Sequence, residues 1–106
     1  MQIHTEESDG TAHLSVVGDL DLATGEKLHR AGLRCLDEAA VTRLVLDLSA
    51  VTFIDSTGIG ALVKINNAAH DRGASLKLLR PSRRVSEILH LTAMDQIFDV
   101  DDDQPT

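Results

Sequence analysis

RLVLDLSAVTFIDSTGIGALV, residues 43–63, decides how this chain is read. Its opening run, Arg43 to Leu48, is almost wholly aliphatic and short, which suits a strand covered on both faces in a parallel sheet. From Thr57 onward the apolar residues take helical spacing, and the pattern continues to Arg72, with Gly73 as the C-terminal cap. Between the two, Asp55-Ser56-Thr57 supplies an acid and two hydroxyls where a helix start needs acceptors for its unpaired N–H groups. A strand entering a helix through such a turn is half of a βαβ unit.

The flanks extend the same alternation. Upstream, Gln2 to Glu7 and Ala12 to Val17 enclose Ser8-Asp9-Gly10, a hairpin signal. Ala23 to Ala40 carries the stripe Leu28, Ala31, Cys35 and Ala39, an amphipathic helix in which Gly25 and Gly32 lower the propensity. Downstream, Ser75 to Leu79 reads as a second buried strand. Ser82 then caps a short helix with Val85, Ile88 and Leu89 on one face, and Gln96 to Val100 reads as a last strand. The expected order is β-β-α-β-α-β-α-β. Right-handed crossovers then give an α/β fold with a mostly parallel central sheet and an antiparallel N-terminal edge hairpin. The functional loops collect at the C-terminal ends of the strands, in Gly18 to Asp21, Leu48 to Thr57 and Leu79 to Ser82.

Length and composition bound what the chain can do. At 106 residues, 42% hydrophobic and 25% charged, it suits one globular domain, taken as residues 1–100, followed by an acidic tail, 101–106, expected to fray. The net charge of -7 and the scatter of its Lys and Arg, apart from Arg80, Arg83 and Arg84, argue against binding nucleic acid, which needs a basic footprint. There is no Trp or Tyr and only two Phe, which leaves no stacking platform for single strands. No apolar run approaches the roughly 20 residues of a membrane helix. The start MQIHTEESDG has neither the basic nor the apolar part of a signal peptide, so a cytoplasmic location is expected. Cys35 is alone and reads as a small buried hydrophobe. His4, His13, His29, His70 and His90 show no metal-ligand spacing.

Enzymatic chemistry finds little support in these residues. Ser56 is not in a G-x-S-x-G elbow, because Ile54 stands two residues before it, and no His falls in the strand-end loops. An aspartyl-phosphate scheme would need Asp55 with metal-binding acids and a Lys. Asp19, Asp21 and Asp47 are candidates, but these loops hold no Lys. There is no G-x-x-x-x-G-K phosphate cradle either. The expectation is a protein that is not an enzyme and holds no cofactor. Gly58 and Gly60 make sense if the first turn of the helix must lie close to another backbone.

Gly18-Asp19-Leu20-Asp21, the strand Leu44-Val45-Leu46-Asp47-Leu48, and above all Phe53-Ile54-Asp55-Ser56-Thr57-Gly58-Ile59-Gly60 resemble the STAS domain of bacterial anti-sigma factor antagonists. The correspondence runs in order from about Ala12 to Val100. It implies the STAS fold and a protein switch. The anti-sigma factor, itself an ATP-dependent serine kinase, would phosphorylate Ser56 and so release the antagonist; a serine phosphatase would restore it. The resemblance assigns the kinase-facing surface to Asp21, Asp55, Thr57, Gly58 and Ile59. Thr57 is the rival acceptor and would otherwise serve as the cap. Two other readings stay open: a constitutive STAS interaction or scaffold module in which Ser56 only caps a helix, and a nucleotide-binding STAS subunit.

Overall fold

In a computed structural model of the chain, described for residues 2–101, five strands and three α-helices alternate. They are β1 (Gln2–Ser8), β2 (Thr11–Leu20), α1 (Leu22–Leu36), β3 (Arg43–Ile54), α2 (Ser56–Asp71), β4 (Ser75–Leu79), α3 (Arg83–Leu91) and β5 (Asp99–Asp101), with a 3-10 turn at Met94–Gln96. The sheet order is β1-β2-β3-β4-β5; β1 and β2 are antiparallel and all other pairs are parallel. The fold class is therefore the expected α/β arrangement with an antiparallel edge hairpin.

The hairpin turn is Asp9-Gly10, with φ of 53° and 81° at its two residues. Positive φ at both positions gives the turn a twist that matches the flanking strands, and Gly reaches it without a steric penalty.

Because the strand order advances in one direction, right-handed crossovers put all three helices on the same face of the sheet. The burial pattern agrees. Leu14, Leu44, Leu46, Leu76 and Leu78 join Leu28, Leu62, Ile65, Val85 and Leu89 in one apolar core. The other face carries His4, Ser15 and Asp47 in one row and His13, Val45, Lys77 and Asp99 in the next, with Val45 buried. The expectation that β3 is covered on both faces is thus corrected: helices cover one.

Other boundaries shift for physical reasons. β2 continues through Gly18-Asp19-Leu20, which the sequence reading gave to a loop, because register shifts at Ser15/Val17 and Gly18/Asp19 let the strand stay paired with β3 out to Ile54. Gly18 takes φ of 108° there. α1 ends at Leu36 rather than Ala40. Asp37 closes it, and a tight turn from Glu38 to Val41 returns the chain to Gly10, whose carbonyl accepts from the N–H of Thr42 and Arg43. The last strand is Asp99–Asp101 rather than 96–100, since Met94–Gln96 coil into the 3-10 turn. Asp101, assigned to the tail, pairs with Leu79 in the sheet; residues 102–106 lie outside the described part.

Gly73 caps α2 as expected, with φ of 71°; its N–H donates to the His70 carbonyl, and the Ala74 N–H donates to the Ala69 carbonyl. No helix among the described residues is long and apolar enough to cross a membrane.

Candidate functional site

β2 and β3 end side by side, so α1 and α2 begin side by side. The Asp55 N–H donates to the Leu20 carbonyl (3.2 Å), tying the end of β3 to the residue before Asp21. Gly58, in the first turn of α2, is buried against that same carbonyl. A Cβ there would overlap the Leu20 oxygen and lie 2.9 Å from Ile54 Cγ1, so only glycine fits. A Cβ on Gly25 of α1 would come within 3.1 Å of Ala61 Cβ on α2. Gly32 faces Ile65 in the same way, at 3.4 Å. The glycines that lower the propensity of α1 let the two helices approach closely. Gly60 is different. Nothing lies within 4 Å of its Cβ position, so the expectation of a close approach holds for Gly58 alone.

Each helix start is closed by an aspartate. Asp21 caps α1. It accepts from the Thr24 N–H (3.1 Å), while the Thr24 hydroxyl accepts from the Asp21 N–H (2.8 Å), a reciprocal box. Asp55 caps α2 through Oδ1, which accepts from the Gly58 N–H (2.9 Å) and from the Thr57 hydroxyl (2.6 Å). Thr57 was expected to be the cap if Ser56 is the phosphoacceptor. Instead it braces the residue that caps, because an acid at the N-cap can accept both bonds at once. Ser56 is the first helical residue and exposed, and its hydroxyl makes no hydrogen bond among the described residues.

The electrostatics follow from these bonds. The Thr57 hydroxyl, and then the Gly58 N–H, hold the Asp55 carboxyl below the usual carboxylate range. The Thr24 N–H and hydroxyl do the same for Asp21, against an opposing push from the charge of Asp55. Asp21 and Asp55 are close enough to sense each other, and both are ionised at neutral pH. Asp19 adds a third carboxylate, held by the Thr52 hydroxyl (2.6 Å) across the β2–β3 pair. No metal-binding group of three or more acids, His or Cys occurs among the described residues.

Of the residues assigned to the site, Asp21, Asp55, Ser56 and Thr57 come together at the surface. Ile59 is half-buried and packs on the core, and Gly58 is buried. The sequence reading passed over four neighbours. Thr24 could have been found as the third residue after an aspartate. Leu22, 63% exposed, and Phe53, 39% exposed, stand as apolar knobs on either side, and the Arg84 guanidinium lies 5.5 Å over the Phe53 ring. Nothing local in the sequence joins Phe53 to Arg84.

Known proteins bear on this geometry. An anti-sigma-B factor antagonist of Listeria monocytogenes is 29% identical over 103 residues, 94% of this chain and 88% of that protein. The crystal structure of an anti-sigma factor antagonist from Mycobacterium paratuberculosis superposes with a TM-score of 0.78 at 27% identity, over 99% of this chain and 86% of the other. The Bacillus cell fate determinant SpoIIAA in its phosphorylated form shares the fold, with a TM-score of 0.72 at 18% identity, over 94% of this chain and 91% of the other. The first two are named as antagonists of anti-sigma factors. The STAS domain family model matches residues 2–105, and this chain belongs to that family.

Proposed function

We propose that the protein is an anti-sigma factor antagonist that binds an anti-sigma factor serine kinase and is switched off by phosphorylation at Ser56. One observation carries the reading. Ser56 presents an exposed, unengaged hydroxyl at a helix start whose capping is already done by Asp55. A kinase can take that oxygen without breaking a bond the fold uses. Thr57 is a poorer acceptor, because a phosphoryl group on its oxygen would remove the 2.6 Å bond to Asp55.

The phosphate suits its own domain and offends its partner. Carrying about -1.5 to -2 charges, it sits where the helix dipole and free N–H groups favour an anion. The same charge stands beside Asp21 and Asp55 on the face that meets the kinase. Against a partner carboxylate about 6 Å away, at an effective dielectric near 20, the repulsion is about 4 to 6 kcal/mol, a loss of roughly a thousandfold or more in affinity. Asp21, Asp55 and Thr57 form the contact surface with Ser56. Gly58 and Ile59 serve by seating the helix start. A serine phosphatase would reset the switch.

Incubation with the cognate kinase and ATP, followed by intact-mass measurement, should show one added phosphoryl group that Ser56→Ala abolishes. Ser56→Asp should lose kinase binding while keeping its fold. If Ser56→Asp assembles with the partner as the wild type does, the chain is a constitutive interaction module and the switch reading fails.

A further inference from the structure

β1 is the edge of the sheet, seven residues long and largely exposed. Among the described residues no strand pairs with its outer side. Its helix-side residues, Ile3, Thr5 and Glu7, face α1 across an open groove of about 510 Å³. Ile3, Ala31 and Cys35 give the groove an apolar floor, and Lys27, Arg30 and Arg34 stand along its helix wall. Those three cations recur at helical spacing on a chain whose net charge is -7, and none of them is in an ion pair among the described residues.

β1 and α1 run in the same direction away from the switch rim, so the groove has two unlike ends. Lys27 and Arg30 lie toward the rim. Glu7 and Glu38 close the far end, and the neighbouring Glu38 carboxyl raises that of Glu7 above its ordinary range. An unpaired strand edge beside a groove that receives alternate side chains is the geometry by which extended peptides add to sheets.

We propose that this groove docks an extended acidic segment of a partner protein, which adds to the free edge of β1 as a further strand and sets its carboxylates on Lys27, Arg30 and Arg34. The residue of that segment lying over Glu7 and Glu38 is neutral or basic. The site is separate from Ser56, and a partner can occupy it whichever state the rim is in.

The test uses the whole chain, isotope-labelled, titrated at low salt with a blocked peptide of alternating Val and Glu that ends in Lys. Amide shift changes should be confined to residues 2–8 and 27–35. The Arg30→Glu/Arg34→Glu variant should bind at least about tenfold more weakly. The same peptide with alternate backbone nitrogens methylated keeps its charges but cannot pair as a strand, and its binding to the wild-type chain should be lost. The proposal is overturned if no shifts appear up to about 1 mM peptide, if they centre on the start of α2, or if the methylated peptide binds as tightly as the unmethylated one. The last comparison needs no variant, so it decides the matter even if the charge reversal impairs folding.

Discussion

Two serines stand at helix starts on the same rim, and they have opposite fates. Ser82 is itself the cap of α3: it accepts from the Val85 N–H (3.4 Å) and donates to the Val51 carbonyl (2.6 Å). Ser56 sits one position further into its helix, behind an aspartate that caps in its place, and its hydroxyl is left over. A shift of one residue between acid and hydroxyl separates a structural oxygen from an available one. Residue type at a helix start therefore says little about function until the capping bonds are assigned.

The comparison can be tested by substitution, beginning where the effect is largest. Gly58→Ala places a methyl group on the Leu20 carbonyl, which cannot move without disturbing β2. The loss in stability should be about 3 kcal/mol or more, read by chemical denaturation. Ser82→Ala removes a cap and a bond to a strand carbonyl together, and should cost about 1 to 2 kcal/mol. Gly60→Ala, with open space around it, should act in the opposite sense and raise stability by about 0.5 to 1 kcal/mol. Ser56→Ala should change stability by less than about 0.5 kcal/mol while abolishing phosphorylation. If Ser56→Ala destabilises as much as Ser82→Ala, the two serines are alike and the contrast collapses.

Acid sharpens the same contrast. Asp21 and Asp55 have carboxyls held below their unfolded value of about 3.9, so their contribution is complete above roughly pH 4 and is lost as pH falls through the folded values. The start of α3 is capped by a hydroxyl and does not titrate. Denaturation midpoints measured from pH 6 down to pH 2 should therefore converge for wild type and Asp55→Asn, while the difference between wild type and Ser82→Ala stays constant.

Much of this was legible in the sequence because it is local. Asp9-Gly10 is a turn wherever it occurs between two alternating runs, and Gly73 ends a helix by its own φ. The aliphatic run at Leu44 to Leu48 announces a core strand. What escaped was non-local. Gly25 looks like a weak helix residue until Ala61 is set against it, and the backbone that Gly58 was expected to approach is known only once the Leu20 carbonyl is in place. The extension of β3 to Ile54 depends on irregularities in β2, and the pairing of Phe53 with Arg84 joins residues from different elements. The one-sided placement of the helices follows from the strand order, which no single stretch encodes. At the candidate site the run Asp55-Ser56-Thr57 was readable as a helix start, but the neighbours Thr24, Leu22 and Arg84 were passed over, and the division of labour between Asp55, Ser56 and Thr57 required atomic positions.

The contact of Gly58 with the Leu20 carbonyl has a consequence for how a signal could leave this molecule. The base of α2 is clamped to the strand beneath it, with no slack for the helix to retreat or swing when something is added at its tip. A phosphate on Ser56, as proposed, would then be carried on a helix start whose backbone is fixed, like a flag on a mast. Under the proposed switch, a partner docking there would meet an unchanged shape bearing a different potential, and discrimination would fall to the partner's own charges.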